Sequence, residues 1–219
     1  MTGPLLAAGR EADVYALGDQ RVLRRYRRDA DVTGEAGAMR HLAGLGYPVP
    51  AVYEATGRDM VLERLDGPTM AHALTTGELG LEEAAAHLAD LLRRLHELPP
   101  WPGAPAGSSV VHLDLHPLNV LMTARGPVVI DWCNARPGEP DLDTGLTALI
   151  LAQVAAERGH EWSAAADQLL VAFLRVAPGD PIRLLDEVVR FRRWQLDTLT
   201  PAEIALIDTA AEKMRACVR

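Results

Sequence analysis

Three oxygen-bearing side chains between residues 112 and 131 have the types and the spacing that chemistry on phosphate groups requires. Asp114 and Asn119 lie in the stretch HLDLHPLNV, which is flanked by apolar residues, and Asp131 follows the apolar run VVI. Carboxylate and amide oxygens are ligands that Mg²⁺ prefers, and bound Mg²⁺ usually keeps waters and phosphate oxygens as its other ligands. A carboxylate in a loop can also accept the proton of a bound hydroxyl group.

We expect a β-hairpin to bring these side chains together. Residues 119–123 and 127–131 are short β-type segments, and the residues between them, which include a glycine, are typical of a turn. In an antiparallel pair the first residue of one strand lies opposite the last residue of the next, so Asn119 would lie beside Asp131. Asp114 would then lie in the loop just before the hairpin. Phosphoryl transfer needs such a set, because metal must neutralise the phosphates while a base orients the attacking hydroxyl.

The same stretch suggests a second kind of metal site. His112, Asp114 and His116 alternate, so a strand would place all three on one face, as in a zinc or iron site. Pro117 would end such a strand at once, and the sequence has no further histidine or cysteine cluster near it. This site would leave Asn119 without a role, so we favour the magnesium interpretation.

The elements around the hairpin predict two unequal parts. Short segments at 5–7, 13–17, 21–26, 49–54 and 59–65 are typical of strands, and 33–45 is typical of a helix. Residues 68–98 and most of the chain after residue 131 have helical periodicity. Thr200 and Glu203 form a capping-box pattern that opens a final helix to about residue 217. The expected fold class is therefore α+β, with a small β-rich part followed by a larger helical part.

Composition narrows the class of partner. The 219 residues carry a net charge of −8, which argues against nucleic acid or an anionic membrane as the main partner. The two cysteines, Cys133 and Cys217, are too few for a disulfide scaffold or a zinc site. No segment reaches the roughly 18 apolar residues of a membrane span, and the N-terminus lacks a signal-peptide pattern. We expect a cytoplasmic enzyme that acts on a small molecule.

The stretch HLDLHPLN followed by VVIDW resembles the aminoglycoside phosphotransferase family of small-molecule kinases. The resemblance implies a bilobal protein-kinase-like fold, with residues 1–65 as a nucleotide-binding lobe and residues 66–219 as a helical lobe for catalysis and substrate binding. It implies ATP and Mg²⁺ as cofactors. It also implies that Asp114 is the catalytic base and that Asn119 and Asp131 bind the metal.

Other positions follow the order of the same family from about residue 5 to residue 150. Gly9, in GREA, resembles the loop that covers the phosphates, and Glu35 resembles the helix glutamate that steadies the phosphate-binding cation. The segment MVLERLDG resembles the hinge, where the backbone of Glu63 and Leu65 would meet adenine. Asp143 resembles the aspartate that braces the catalytic loop. The last 70 residues show helical character alone.

The cation for the phosphates departs from the family pattern. The family usually has a lysine on the third strand, but Lys213, near the end of the chain, is the single lysine here, and Arg24 stands at the strand position. Strand alternation places Arg24 on the same face as Val22, so its guanidinium could hold phosphate oxygens. The alternative is that Arg24 belongs to a solvated basic edge together with Arg25, Arg27 and Arg28.

The acceptor stays open at this stage. We expect an ATP-dependent kinase that phosphorylates a hydroxyl of an aminoglycoside or other antibiotic, a sugar or an amino alcohol. Leu113 stands where protein kinases have the arginine that binds an activation-loop phosphate, which argues against a protein substrate. Acidic residues after residue 140 would either meet a cationic acceptor or belong to the surface; they are Asp141, Glu157, Glu161 and Asp180.

A pseudokinase-like regulator that binds nucleotide without catalysis is the alternative function. The arginine at position 24 and the single glycine at position 9 favour it. The presence of Asp114, Asn119 and Asp131 together disfavours it, because a protein without catalysis has no need of all three. ADP release in the presence of hydroxylated metabolites separates the two hypotheses.

Overall fold

A computed structural model describes residues 3–195 and 199–218. The first part of the chain is a five-stranded antiparallel sheet with strand order β1-β2-β3-β5-β4. Its strands are β1 (Leu5–Ala8), β2 (Ala12–Ala16), β3 (Arg21–Tyr26), β4 (Val52–Thr56) and β5 (Asp59–Glu63). Helix α1 (Thr33–Gly44) connects β3 to β4 and packs its buried face, which includes Met39 and Leu42, against this sheet.

The rest of the chain is mainly helical. The helices are α2 (Met70–Thr76), α3 (Leu81–His96), α4 (Pro140–Ala156), α5 (Ser163–Val176), α6 (Leu185–Trp194), α7 (Pro201–Ala205) and α8 (Ile207–Cys217). Two small antiparallel ladders lie between α3 and α4. The first pairs β6 (Ser109–Val111) with β9 (Arg136–Gly138), and the second is the hairpin of β7 (Val120–Thr123) and β8 (Gly126–Val129).

Helix α4 lies at the centre of the helical part. Every residue from Asp143 to Gln153 is buried, and α4 contacts α3, α5, α6 and α8. A helix that is apolar on all sides belongs inside a core, whereas α3 carries its leucines on one stripe and its charges on the other. One cluster of buried apolar residues runs from Met60 and Leu62 of β5 through α1 into these helices. The sheet and the helices therefore share a continuous core.

The predicted α+β class, with a small antiparallel sheet before a helical part, is confirmed. The predicted division at residue 65 stays a prediction. The helical stretch predicted over 68–98 is divided, because Gly77 at φ 76° ends α2 with a left-handed C-cap before α3 begins. The predicted capping box of Thr200 and Glu203 is present, but the last helix is interrupted at Leu206. No helix within residues 3–195 and 199–218 is long and apolar enough to span a bilayer.

Candidate active site

The predicted hairpin is present, and it places Asn119 opposite Ile130, the residue before Asp131. Strands β7 and β8 pair Val120 with Val129, and the ladder continues one step further, where the Ile130 N–H donates to the Asn119 carbonyl at 3.0 Å. Asn119 ends a short 3-10 turn that begins at Pro117. Asn119 and Asp131 therefore both lie at the open end of the hairpin, and both line the same cavity.

Asp114 joins this pair through Asn119. The Asn119 Nδ2 group donates to the Asp114 carbonyl at 2.9 Å and to its Oδ2 atom at 3.1 Å. The Oδ1 atom of Asp114 receives no hydrogen bond from Asn119. Burial would raise the pKa of Asp114, but the neighbouring side chains of His116, whose Nε2 atom lies 3.6 Å from Oδ2, His112 and Arg192 outweigh it. The pKa of Asp114 is therefore held below its ordinary value, and the group is a carboxylate at neutral pH.

Asp143 braces the loop that carries Asp114. Its carboxylate is buried and accepts the N–H groups of His112 at 2.8 Å and Leu113 at 2.7 Å, together with the His96 Nε2 group at 3.0 Å. Leu113 has φ 61°, a left-handed conformation that is costly for a leucine. The two backbone hydrogen bonds to one carboxylate hold that conformation in place.

His112 ties the same loop to the hairpin. Its Nδ1 atom accepts the Asp114 N–H at 3.1 Å, so the proton lies on Nε2, which donates to the Ile130 carbonyl at 3.1 Å. The ring packs edge-on against the buried Trp132, with 4.6 Å between the centroids. One histidine thus fixes the distance between the Asp114 loop and the residues on either side of Asp131.

Arg24 connects the sheet to Asp131. Its Nη1 atom lies 2.6 Å from Glu35 Oε1, and its Nη2 atom lies 2.6 Å from Asp131 Oδ1. The other oxygen of Glu35 accepts the Tyr26 hydroxyl at 2.6 Å. The Arg24 side chain is 12% exposed, so it is not part of a solvated edge, whereas Arg25 is 38% exposed. The pairing of Arg24 with Glu35 that the sequence predicted is present.

Asp131 is held in an unusual backbone conformation. Its φ is 65°, and in residues 3–195 and 199–218 it shares positive φ with Leu113 alone among residues other than glycine. The next residue, Trp132, donates its N–H to Glu35 Oε1 at 3.2 Å and its indole N–H to the Val129 carbonyl at 3.0 Å. Strained residues that surrounding contacts hold in place cluster at functional sites.

One cavity of about 1080 Å³ contains most of the predicted site residues. Its lining includes seven of the eight: Gly9, Arg24, Glu63, Leu65, Asp114, Asn119 and Asp131. Glu35 does not line it and lies behind Arg24, which it contacts. The cavity therefore joins the sheet, the Asp114 loop and the hairpin, but Glu35 can act on its contents only through another residue.

The segment predicted as a hinge offers backbone groups to this cavity. The Leu65 N–H has no hydrogen-bond partner in the described part of the chain, and Leu65 lines the cavity. The Glu63 N–H is already donated to the Ala51 carbonyl at 2.9 Å. Apolar side chains from both sides of the cavity, Val22 of β3 and Ile130 after β8, flank the same space. A flat apolar ring with a polar edge matches such a slot.

The side chains suit a metal ion that is shared with phosphate. Asn119 Oδ1 and Asp131 Oδ2 accept no hydrogen bond from any residue in 3–195 or 199–218, and both are hard oxygen donors. No group of three or more His, Cys, Asp and Glu side chains in those residues is placed to hold a metal by itself. Mg²⁺ commonly takes one or two protein ligands and fills its remaining positions with phosphate oxygens and water.

Comparison with sequence models of protein families identifies the family of this chain. A sequence model described as the phosphotransferase enzyme family matches residues 2–109 and 101–185, which together make up most of the chain. The chain belongs to the phosphotransferase enzyme family. The predicted resemblance to small-molecule kinases is thereby confirmed. No curated protein matches the chain.

Solved structures share the fold of this phosphotransferase at low sequence identity. A thermostable mutant of aminoglycoside phosphotransferase APH(4)-Ia with AMP-PNP and hygromycin B is 17% identical, with a TM-score of 0.65 over 99% of this chain and 92% of that one. The gentamicin complex of APH(2")-IIa is 15% identical, with a TM-score of 0.61 over 97% and 94%. Amicoumacin kinase hAmiN, bound to AMP-PNP and Ca²⁺, is 14% identical, with a TM-score of 0.57 over 97% and 87%.

Two cavity-lining arginines of the phosphotransferase were not singled out from the sequence. Arg10, next to Gly9, reaches across the cavity to Glu203, with its Nη2 atom 2.8 Å from Oε1 and its Nη1 atom 3.2 Å from Oε2. Arg192, on α6, lies with its Nη1 atom 3.6 Å from Asp114 Oδ1. Each partner is far away along the chain, so no local pattern marks these pairs.

Most of the acidic residues that the sequence offered for a cationic acceptor do not line the cavity. Glu157 lines the cavity, whereas Asp141 pairs with Arg183 and accepts the Asp180 N–H. Glu161 and Asp180 are exposed and do not line the cavity. Of these four acidic residues, Glu157 alone lines the cavity.

Proposed function

We propose that this phosphotransferase is an ATP-dependent kinase that transfers the γ-phosphoryl group to a hydroxyl of a small molecule. The observation that carries the proposal is the meeting of Asp114, Asn119 and Asp131 on one cavity wall, with Arg24 directed at them from the sheet. A base, a pair of oxygen ligands and a fixed cation are the parts that phosphoryl transfer uses.

The nucleotide would occupy the part of the cavity between the sheet and the hairpin. The free Leu65 N–H and the Glu63 carbonyl would meet the adenine edge, with Val22 and Ile130 on its faces. The Gly9 turn, closed by the hydrogen bond from its N–H to the Ala12 carbonyl at 2.9 Å, would cover the phosphates.

Asn119 and Asp131 would hold Mg²⁺, which neutralises phosphate charge when it is bound. Arg24 already neutralises Asp131, and its planar guanidinium can bind phosphate oxygens in place of that carboxylate. Glu35 would act as a positioning residue, because it contacts Arg24 rather than the cavity.

Asp114 would accept the proton of the acceptor hydroxyl. Its Oδ2 atom is engaged by Asn119, so Oδ1 is the oxygen that faces an acceptor. As the hydroxyl oxygen bonds to the γ-phosphorus, the bond to the β–γ bridging oxygen breaks, ADP leaves and the proton passes to Asp114. The low pKa of Asp114 ensures that this oxygen is unprotonated when the acceptor arrives.

The acceptor would be a small molecule bound beyond Asp114, where the cavity continues between α4 and α5. The structural neighbours include complexes with hygromycin B and with gentamicin, and an amicoumacin kinase. An antibiotic, a sugar or an amino alcohol fits the proposal, and a cytoplasmic location, where ATP is supplied, belongs to it. Nucleic acid and membrane surfaces are not expected partners, given the net charge of −8.

Measurement of ADP release with ATP, Mg²⁺ and a panel of hydroxylated small molecules tests the proposal. With an acceptor that raises ADP release, we expect Asp114→Asn to lower turnover by roughly 10²–10⁴-fold, as loss of a general base does. AMP-PNP binding should be kept. Asp90→Asn, at an exposed site on α3, is the control and should retain turnover.

Two results would contradict this assignment. Undiminished turnover in Asp114→Asn would remove Asp114 from its role as base. ADP release that no acceptor raises above the rate with water would favour the alternative of a nucleotide-binding regulator.

A further inference from the structure

Arg192 places a positive charge beside the oxygen that the proposed reaction needs. Its Nη1 atom lies 3.6 Å from Asp114 Oδ1, the oxygen that Asn119 leaves unoccupied. Arg192 is 8% exposed and lines the cavity. The proposed roles of Mg²⁺, Arg24 and Asp114 do not require this cation, so its position calls for a separate explanation.

Neutral amides hold the Arg192 guanidinium in place. Its Nε group donates to Gln153 Oε1 at 2.9 Å, and its Nη1 group donates to Gln195 Oε1 at 3.0 Å. Gln153 is fixed in turn, because its Nε2 group donates to the Glu203 carbonyl at 2.9 Å. Both glutamines are buried. The guanidinium is therefore oriented by partners that do not neutralise its charge.

No carboxylate is hydrogen-bonded to Arg192 in the part of the chain that the structure describes. Asp114 is the one carboxylate there within 4 Å, and 3.6 Å is too long for a hydrogen bond. Burial lowers the pKa of Arg192, because a low-dielectric surrounding disfavours its charge. Asp114, whose Oδ1 atom is 3.6 Å away, offsets part of the cost of burying this cation, and a bound carboxylate that hydrogen-bonds to the guanidinium would offset more of it.

The surrounding part of the cavity is poorly suited to a polycation. Its walls beyond Asp114 are largely apolar, from Ile150, Leu151, Val154, Ala166, Leu169, Leu199 and Leu206. Two carboxylates line it among the described residues, Glu157 and Glu203, and Glu203 is already paired with Arg10. An aminated sugar with several charges would find few partners here.

We propose that the acceptor is a largely apolar hydroxy acid and that Arg192 binds its carboxylate. This inference rests on the proposed function. A hydroxyl that donates to Asp114 Oδ1 lies about 3 Å from it, as hydrogen bonds require. Because Nη1 of Arg192 is 3.6 Å from the same oxygen, an acceptor whose carboxylate lies on the carbon that bears the hydroxyl, or on its neighbour, can reach both groups at once. The guanidinium fork suits a carboxylate in either position.

Binding of mandelate, which is 2-hydroxy-2-phenylacetate, and of its neutral analogue mandelamide tests the assignment by calorimetry. We expect wild type to bind mandelate at least about tenfold more tightly than mandelamide, since hydrogen bonds between charged groups are stronger than those between neutral groups. Titrations with and without AMP-PNP and Mg²⁺ separate two sources of anion binding. If the preference for mandelate over mandelamide disappears when AMP-PNP occupies the nucleotide site, Arg192 binds the transferred phosphoryl group instead, and the proposal is overturned.

Four variants sharpen the test. Arg192→Gln should reduce the preference for mandelate to within about twofold, and Arg192→Lys should keep part of it. Gln153→Glu should also reduce it, because a carboxylate would then face Arg192 Nε while the cation and the packing remain. Arg193→Gln, next in sequence but exposed and paired with Asp208, is the control and should keep the full preference. Equal binding of both compounds by wild type would overturn the proposal.

Kinetics with matched pairs of hydroxy acids and their methyl esters separate this inference from the proposed function. For acid acceptors we expect Arg192→Gln to raise KM at least about tenfold, while the KM of the ester changes little. ADP release that is faster with esters than with acids in wild type would contradict the inference and leave the kinase function intact. Mandelate binding without ADP release from any acceptor would contradict the kinase function instead.

Discussion

Arg24 shows how one side chain can join two partners that lie on different elements. Its two terminal nitrogens contact Glu35 on α1 and Asp131 after β8, both at 2.6 Å. A guanidinium presents its donors in a rigid plane and stays charged when it is buried, whereas an ammonium group is a compact and strongly hydrated charge. The arginine therefore does not simply replace a lysine. Its planar guanidinium holds the carboxylate of Asp131, the proposed metal ligand, in a defined orientation relative to Glu35.

We expect Arg24→Met to weaken binding of AMP-PNP with Mg²⁺ at least about tenfold, since it would remove the charged hydrogen bonds to phosphate that we propose for Arg24. It should also destabilise the fold by about 3–5 kcal/mol, because Glu35 keeps a buried charge without its partner. Calorimetry and urea denaturation measure the two effects.

Arg25→Met is the matched control for Arg24→Met. Arg25 is the next residue of β3, and it pairs with Asp59 at a half-exposed site. We expect nucleotide binding close to wild type in this control. Equal losses in the two variants would mean that Arg24 acts through the strand and not through the phosphates.

At the scale of elements, Asp143 joins three segments at one buried carboxylate. It lies in the first turn of α4, binds His96 at the end of α3 and receives two N–H groups from the loop after β6. The hydrogen bond from His96 and the charges and N–H groups around it outweigh burial and lower the pKa of Asp143. The position of Asp114 thus depends on how α3 packs against α4.

Asp143→Asn should lower the free energy of unfolding at pH 7 by about 1.5–3 kcal/mol, because the loss of a charged acceptor leaves buried donors poorly paired. The folded-state pKa of Asp143 lies below its unfolded value, so its stabilising effect is present above about pH 4 and is lost as the pH falls through the folded pKa. The stability gap between wild type and variant should therefore narrow from pH 5 to pH 3. Urea titrations at several pH values measure this gap, and a constant gap would contradict the linkage.

Some differences between the predicted and the observed elements concern where helices stop. The periodic leucines of 81–95 predicted α3, and the capping box predicted the start of α7, because both signals are local. The interruption at Leu206 has no such signal. Leu206 lines the cavity. The Ala210 N–H donates to the Leu206 carbonyl, so a new helix, α8, begins there. Helix ends of this kind depend on the neighbours against which a helix packs.

At the scale of the whole molecule, the cavity is enclosed by residues from both ends of the chain. The Arg10–Glu203 pair joins the loop after β1 to α7, and the core is continuous from β5 to α8. A ligand in this cavity contacts the sheet and the helices at once. It should therefore stabilise the molecule as one unit, since it binds the folded chain and not the unfolded one.

AMP-PNP with Mg²⁺ at about 100 times its Kd should stabilise wild type by about 2.7 kcal/mol. For a chain of this size that corresponds to a rise in Tm of roughly 5–10 °C. We expect Asp131→Ala to lose most of this rise, because the proposed metal ligand is absent. Asp59→Ala, which removes the partner of Arg25, is the control and should keep it. Thermal unfolding with and without ligand measures the rise, and an equal rise in Asp131→Ala would exclude Asp131 as a metal ligand.

The sequence by itself determined the features whose parts lie close together along the chain. The hairpin that brings Asn119 and Asp131 to one end and the strand alternation that turns Arg24 inward follow from local spacing. Only the tertiary structure decided which distant charges meet. Arg24 reaches Asp131 across 107 residues and Arg10 reaches Glu203 across 193. Tertiary packing brings such residues together, and no local sequence pattern predicts which of them will meet. For the same reason the position of Arg192 beside Asp114 could be seen only in the folded chain.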